Sequence, residues 1–300
     1  MAHQHLSFPV RRSLLNALFA TLVAIGLTAC GMQEQDEPVA SLQSALYDPA
    51  WYGYSKFFGL TGLSCYNKVV PVPGKATTTT FYLCVVDLTK AYIKTMHGPH
   101  YSPRPGVEDK NTFWRKSIND LWVQGYYPPV IVNASFFGTT INPTNLSFPY
   151  KRDGELITYG TDCDAWPHRG NVRVLQVWND RHSADVSSYN CSAADMANLT
   201  SFGSAPEILG TLTNDVNKGK GNWDIGRTFV AVADSGKTVL IFASQKVDQD
   251  VAQQELANFG TGKIVMFDGG GSTQMKINGS TIIPSSDGRD VPNAIAVYAW

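Results

Sequence analysis

An aspartate followed by three glycines and two hydroxyl residues is the segment of this sequence best suited to chemistry. The aspartate directly follows the apolar run 263–267. Consecutive glycines let backbone amides approach a ligand with no Cβ in the way, and amides with hydroxyls suit phosphate oxygens. A carboxylate at a strand end suits proton transfer or hydrogen bonding to a sugar hydroxyl. The alternative is a tight glycine turn with a capping aspartate. The residues are Asp268, Gly269, Gly270, Gly271, Ser272 and Thr273.

Three other segments place polar side chains where apolar runs begin or end. Asn133 interrupts one run, so its amide either faces a cleft or forms an Asx turn. Arg227 and Thr228 begin another run, and the planar guanidinium is a group that recognises phosphate, although a solvated arginine is the alternative. Arg289 and Asn293 precede the last run, in what is otherwise an ordinary loop.

The histidines predict neither a serine hydrolase nor a metal site. No histidine outside the N-terminal segment accompanies a serine in a G-x-S-x-G setting. His97 and His100 flank a Gly-Pro pair without neighbouring carboxylates, which is typical of a surface loop. We therefore expect a site without a metal or other cofactor.

The elements that must position these residues are mostly strands. Trp114, Ile118, Leu121 and Trp122 share one face of a predicted helix over 111–124, and two shorter helices are expected at 193–199 and 250–259. The pattern predicts an α+β fold of strand-rich mixed or antiparallel sheets with a few inserted helices, as a single domain over 47–300. The runs of strand length and composition are 81–88, 130–137, 172–178, 228–234, 238–244, 263–267 and 293–299.

Composition excludes several classes of protein. Charged residues are 16% of the chain, against a typical share of about 25%, and the formal net charge is −1. A chain this apolar and neutral is neither intrinsically disordered nor a coiled coil. It also lacks the clustered positive charge that nucleic-acid binding requires.

The N-terminal segment predicts export. Arg11 and Arg12 precede the apolar run 14–27, which is shorter than a membrane-spanning helix and fits a secretory signal. Thr28 and Ala29 then precede Cys30, as in a bacterial lipobox. We expect residues 1–29 to be removed, Cys30 to carry lipid, 30–46 to be a polar tether, and the protein to be a membrane-anchored lipoprotein of the bacterial cell envelope. The alternatives are a plain signal peptide and a buried helix.

Four cysteines remain after Cys30. An even number outside the cytosol favours two disulfides, for which three connectivities exist. We favour Cys65–Cys84 and Cys163–Cys191, because each pair closes a local loop. Four free buried thiols are the alternative.

Taken together, the four polar segments resemble the phosphodiester glycosidase family. The similarity runs from about 130 to 300 and includes a Glu-Leu-Ala helix at 255–257 before the glycine turn. The family's Asn-Gly-Gly-Phe-Phe is here Asn133-Ala134-Ser135-Phe136-Phe137, which leaves the identity of the sugar open. The resemblance marks as site residues Asn133, Arg227, Thr228, Asp268, Gly269, Gly270, Gly271, Ser272, Thr273, Arg289 and Asn293.

The resemblance implies hydrolysis of a sugar-1-phosphodiester in an exported glycan or glycoconjugate, with release of free sugar. We assign Arg227 and the turn 269–273 to the phosphate, Asp268 to the sugar carbon, and Asn133 with Asn293 to hydroxyls. Glu207 is a weaker candidate for a second carboxylate. The alternative function is a non-catalytic surface lipoprotein that binds envelope glycan or glycophosphate.

Overall fold

The computed structural model describes residues 48–104, 107–162, 170–201, 207–213 and 221–300. The predicted signal 1–29, the lipidation site Cys30, the tether 30–46 and Cys163 lie outside the described residues.

Most apolar runs form strands, and helices are few. The described helices are α1 (Ile118–Gln124), α2 (Ala193–Ser201) and α3 (Gln249–Ala257). The described strands are β1 (Ser55–Leu60), β2 (Leu63–Pro71), β3 (Thr78–Asp87), β4 (Ala91–His97), β5 (His100–Arg104), β6 (Val107–Phe113), β7 (Val130–Asn133), β8 (Thr144–Asn145), β9 (Tyr150–Arg152), β10 (Glu155–Thr158), β11 (Val172–Trp178), β12 (Ser183–Ser188), β13 (Glu207–Thr213), β14 (Arg227–Ala233), β15 (Thr238–Ser244), β16 (Lys263–Phe267), β17 (Met275–Ile277), β18 (Ser280–Ile283) and β19 (Asn293–Ala299).

The strands form three sheets. The large sheet has the order β1-β2-β3-β15-β14-β16-β13-β11-β12, with the β9–β10 hairpin attached at β13. The small sheet has the order β18-β17-β7-β19-β4, and β5-β6-β8 form a third. Every pairing between described strands is antiparallel. The prediction of a strand-rich domain with a few helices is therefore confirmed, and within the described residues the antiparallel form is the one observed.

Two hydrophobic cores hold the sheets together. The first lies between the large and small sheets, where Val230 and Val265 pack with Val132 and Ile295. The second covers the opposite face of the large sheet, where Phe229 and its neighbours meet the apolar side of α3. Because successive strand residues point to opposite faces, one continuous apolar strand such as β14 supplies both cores.

A cross-strand disulfide joins Cys65 of β2 to Cys84 of β3, as predicted. The two residues are direct partners in the register of the antiparallel pair, with a Cα–Cα distance of 4.1 Å. Cys191 is also disulfide-bonded. Its predicted partner, Cys163, lies outside the described residues, so that pairing stays a prediction.

The helix predicted over 111–124 is only half as long as expected. Residues up to Phe113 belong to β6, and α1 begins after Ser117, whose side chain accepts a hydrogen bond from Asp120 N at 3.0 Å. The prediction was wrong over 111–117 because apolar spacing alone does not locate an N-cap. None of the described helices combines the length and the apolar character needed to cross a bilayer.

Candidate active site

The predicted site residues meet where four strands of two sheets begin or end. In the large sheet, β16 ends just before Asp268, and β14 begins at Arg227. In the small sheet, β7 ends at Asn133, and β19 begins at Asn293. Thr228 pairs with Phe267 in one sheet, and Asn133 pairs with Ala294 in the other. Antiparallel pairing therefore brings chain-distant polar residues to one edge of the sandwich.

The Asp268 carboxyl has one oxygen engaged and one free. Gly269 N donates to Oδ1 at 2.9 Å. The other oxygen, Oδ2, is buried and accepts no hydrogen bond of normal geometry among the described residues, although the Ser272 hydroxyl lies close enough to lower the pKa of the carboxyl. The backbone of Asp268 is fixed on both sides, since its N donates to Ala134 O at 3.0 Å and its O accepts from Asn133 Nδ2 at 2.7 Å. A rigidly held carboxyl with an unsatisfied buried oxygen is poised to meet a ligand.

The surroundings of Asp268 favour its protonated form more than water does. Burial raises the pKa of this carboxyl from 3.8 to about 6. The Ser272 hydroxyl, the Gly269 amide and the charge of Arg289 oppose the rise in pKa, in that order, and the charge of Asp287 adds to it. A carboxyl with a pKa near 6 exchanges a proton readily close to neutral pH, which suits a general acid or base.

The glycine turn depends on glycine for two separate reasons. Gly270 has φ +61°, in the left-handed region, and no described atom lies within 4 Å of where its Cβ would stand. That side of the turn is open. At Gly271, a Cβ would stand only 2.1 Å from Asp287 Oδ2. The turn therefore uses its missing side chains to leave space on one side and to admit a carboxylate on the other.

Most amides of the turn are already engaged within the protein. Gly269 N binds Asp268 Oδ1, Gly270 N donates to Gly226 O at 2.8 Å, and Ser272 N and Thr273 N close the turn on itself. The hydroxyls differ, because Ser272 Oγ and Thr273 Oγ1 are buried without a hydrogen-bond partner in the described chain. Of the amides and hydroxyls that we expected to hold an anion, the hydroxyls are therefore the better candidates as donors.

Arg227 supplies a partly desolvated positive charge beside the turn. A Cβ at Gly269 would stand 3.8 Å from Arg227 Cδ, so the side chain lies along the glycines. Its Nε is buried and unpartnered. Burial lowers the pKa of the guanidinium from its ordinary value, while the charge of Asp248 opposes that shift. None of the ion pairs found within the described residues involves Arg227.

Asn133 and Thr228 bind each other and hold the site together. The Thr228 hydroxyl donates to Asn133 Oδ1 at 2.8 Å, and Gln274 N donates to the same oxygen at 3.2 Å. Asn133 Nδ2 donates to the backbone of Asp268. Both side chains are almost fully buried, with 1% and 0% exposure. The structure therefore places these two predicted residues as supports of Asp268.

Asn293 has a similar supporting geometry. Its Oδ1 accepts from Ser135 N at 2.9 Å, and its Nδ2 donates to Ser135 Oγ at 3.1 Å. Both residues are buried. The contact ties the start of β19 to the segment that follows β7, in which Ser135 replaces the family's second glycine.

Asp287 is a site residue that sequence reasoning missed. Arg289 Nη2 donates to Asp287 Oδ2 at 2.7 Å, and Arg289 N donates to Oδ1 at 3.1 Å. Ser285 Oγ lies 2.8 Å from Gly271 O, and Gln274 Nε2 donates to Arg289 O at 2.7 Å. These contacts hold the loop 285–289 against the glycine turn. The nearness of Asp287 to Arg289 in the sequence was the one available signal.

Glu207 lies elsewhere. Its carboxylate accepts from Thr95 N at 3.0 Å, from the Thr95 hydroxyl, and from Asp153 N at 3.3 Å. Burial raises the pKa of Glu207 to about 7. Thr95 is in β4, and β19 separates β4 from the Asn133 strand. The contacts of Glu207 thus link the edge of the small sheet to the β9–β10 hairpin, while Asp287 is the carboxylate beside Asp268.

The described residues contain no cluster of three or more histidine, cysteine, aspartate or glutamate side chains suited to a metal ion. His97 and His100 lie with ring centroids 4.9 Å apart, and burial lowers the pKa of His97 to about 4. Because His97 packs against Phe113 and Tyr150, the half-buried ring belongs to the protein interior more than to a surface loop.

Comparison with solved structures identifies the fold. The chain is similar to the zebrafish N-acetylglucosamine-1-phosphodiester alpha-N-acetylglucosaminidase catalytic domain, auto-inhibited by its pro-peptide, with a TM-score of 0.58, 15% identity, and coverage of 82% of this chain and 86% of that chain. A hypothetical protein from Synechocystis matches with a TM-score of 0.53 and 12% identity, over 82% of this chain and 64% of that one. At these identities the similarity establishes the fold.

A search of curated proteins finds no significant match to this chain. The model of the phosphodiester glycosidase family matches residues 128–298, which include all four strand ends, the glycine turn and the Asp287–Arg289 loop. The match spans more than half of the chain, and the chain belongs to the phosphodiester glycosidase family.

Proposed function

We propose that this protein hydrolyses the bond between an anomeric sugar carbon and a phosphodiester, releasing free sugar and a phosphomonoester. One observation carries the proposal. Four buried polar atoms without hydrogen-bond partners among the described residues lie on or beside the glycine turn: Asp268 Oδ2, Ser272 Oγ, Thr273 Oγ1 and Arg227 Nε. Because buried polar groups normally have hydrogen-bond partners, these atoms are suited to bind the polar groups of a substrate.

The chemistry follows from where these groups lie. Arg227 and the two hydroxyls bind the phosphate and stabilise the negative charge that it gains as the bond breaks. Water attacks the sugar carbon, the bond to the phosphate oxygen breaks, and that oxygen keeps the electron pair. Asp268 accepts the proton of the attacking water and returns it to solvent. Because phosphate is a good leaving group, a second carboxylic acid is less necessary than for an ordinary glycoside.

Asn133, Thr228 and Asn293 act as supports in this scheme. Asn133 bonds to Asp268 O, Gln274 N and the Thr228 hydroxyl, and Asn293 bonds to Ser135 N; these contacts fix the ends of the strands. Enzymes gain rate from groups held in the reacting geometry before the substrate arrives. We therefore assign these residues to the positioning of Asp268 and its loop.

A screen of sugar-1-phosphodiesters for release of free sugar tests the proposal. Time-dependent appearance of free sugar with a matching phosphomonoester supports it, provided that Asp268→Asn abolishes both. A phosphosugar that stays intact while bound to the wild-type protein would contradict it and favour a non-catalytic glycan-binding protein.

We further propose that the protein is exported and anchored by lipid at Cys30. The sequence at 14–30 and the Cys65–Cys84 disulfide support this, because disulfides persist outside the cytosol. In a bacterial host, Cys30→Ala should abolish lipid labelling and membrane retention. Equal partitioning of variant and wild type into detergent would contradict the anchor.

A further inference from the structure

Arg227 lies beside the glycine turn and Arg289 lies in the loop that packs against it, and the two arginines differ in whether their charge is neutralised. Arg227 lies along the glycine turn and takes part in none of the ion pairs found within the described residues. Arg289 is close enough for its charge to lower the pKa of Asp268, yet it is paired with Asp287 at 2.7 Å. One of the two positive charges is thus already balanced by the protein.

The carboxylate of Asp287, which balances the charge of Arg289, is held in place. Asp287 accepts from Arg289 N as well as from the guanidinium, and it also contacts the Ser285 hydroxyl at 3.1 Å. It packs against the bare Cα of Gly271. Because Ser285 and Gly271 fix this carboxylate, Arg289 is neutralised before any ligand binds.

In the part of the chain that the structure describes, the other charges that act on Arg227 and Asp268 are carboxylates, not further cations. Asp248 acts on Arg227 through space, and its Oδ1 caps α3 by accepting from Asp250 N at 2.9 Å. Asp268 itself is negative at a pH above about 6. Among the described residues, the site therefore offers the unpaired positive charge of one arginine.

A phosphodiester and a phosphomonoester differ in the charge that they bring to this site. A diester carries one negative charge, whereas a monoester has a second pKa near 6 and carries close to two at neutral pH. We propose that Asp287 makes the site selective for singly charged phosphodiesters over doubly charged phosphomonoesters. The inference rests on the proposed function. Weaker binding of the doubly charged phosphomonoester would also favour dissociation of the product.

The test measures binding of dimethyl phosphate and methyl phosphate by ³¹P NMR titration at pH 7.5. Asp287→Asn keeps the shape of the side chain and frees one positive charge that is partly exposed to solvent. Dimethyl phosphate should bind about threefold more tightly, the gain typical of an exposed ion pair. Methyl phosphate should gain about tenfold, because the Coulomb interaction scales with ligand charge. Both gains should shrink in high salt.

Two further variants separate charge from structure. Asp290→Asn makes the same charge change on an exposed residue of the same loop, and it should leave both affinities within about 1.5-fold of wild type. Adding Arg289→Gln to Asp287→Asn should remove the gain, because the freed guanidinium is its source. Melting temperatures confirm that each variant is folded.

The inference fails if Asp287→Asn weakens both ligands equally or leaves their ratio unchanged. Those results would make Asp287 a purely structural residue. Binding requires no turnover, so failure of the wild type to release sugar would contradict the proposed function alone. Sugar release accompanied by an unchanged ligand ratio would contradict only this inference.

Discussion

Asp268 and Glu207 are two carboxyls in buried surroundings whose folded pKa values both lie above the ordinary values, near 6 and near 7. Burial is the largest cause in each case. Their hydrogen bonds differ. Glu207 accepts from two groups of Thr95 and from the backbone of Asp153, whereas Asp268 Oδ2 has no partner in the described chain.

This difference shows which observation points to function. A raised pKa follows from desolvation alone and occurs in structural networks as well as in active sites. An unsatisfied buried oxygen costs folding free energy, and a ligand that satisfies it recovers that cost. The missing partner at Asp268, more than its pKa, therefore distinguishes the candidate active site from the Glu207 network.

The largest expected effect is at Asp268. Asp268→Asn keeps the shape but cannot accept a proton at neutral pH, so catalytic efficiency on a sugar phosphodiester should fall about 10²- to 10⁴-fold. Stability should be unchanged or slightly higher, because the variant removes a desolvated carboxyl. Kinetics and thermal melting check both parts. Activity within a few-fold of wild type would make Asp268 another structural carboxyl like Glu207.

The next largest effect is expected at Arg227. Arg227→Ala should lower catalytic efficiency about 30- to 1000-fold, since a charge-assisted contact in a partly dry site contributes about 2–4 kcal/mol. Arg227→Lys should recover only part of the loss, because a point charge does not reproduce the planar fork. The measurement compares a sugar phosphodiester with a neutral aryl glycoside. Equal losses on both substrates would show that Arg227 does not bind phosphate.

Two threonines provide a matched pair for a smaller effect. The Thr273 hydroxyl is buried and unpartnered, whereas the Thr228 hydroxyl is bonded to Asn133. Thr273→Val should lower catalytic efficiency about tenfold at little cost in stability. Thr228→Val should cost about 1 kcal/mol of unfolding free energy, because Asn133 Oδ1 loses one of its two hydrogen-bond donors. Chemical denaturation and kinetics check both variants. A loss of stability in Thr273→Val together with a loss of activity in Thr228→Val would contradict the role of unsatisfied atoms.

The smallest effect on activity is expected at Glu207. Glu207→Gln should keep catalytic efficiency within about twofold, since the hydrogen-bond partners of Glu207 are Thr95 and Asp153, outside the proposed site. It should lower the unfolding free energy by about 1–3 kcal/mol through mismatched hydrogen bonds. A tenfold loss of activity in a stable variant would return Glu207 to the active site.

The same variant tests a pH dependence of stability. With its folded pKa raised to about 7, Glu207 keeps a proton that the unfolded chain releases near pH 4.5. Its contribution is therefore fully present below about pH 4.5 and is lost as the pH rises through about 7. Denaturation at pH 5 and pH 8 should show a smaller difference in Glu207→Gln than in wild type. An unchanged difference would contradict the raised pKa.

Much of the fold follows from local sequence patterns. The runs at 172–178, 238–244 and 263–267 are strands with the predicted bounds. The Cys65–Cys84 pairing also follows from the sequence, because these two cysteines close a local loop. Apolar side chains and short turns act over a few residues, so a linear pattern is enough to reveal them.

The sequence by itself determined the approximate positions of seven strands, the glycine turn and a set of residue types suited to a phosphate. Only the tertiary structure decided that Asn133 bonds to Thr228 across 95 residues of chain, and that Asp287 lies against Gly271 while Glu207 lies at the edge of the small sheet. Which buried polar atoms find partners depends on the packing of the two sheets at the four strand ends. Neighbours in sequence do not reveal that packing, because the partners belong to chain-distant strands.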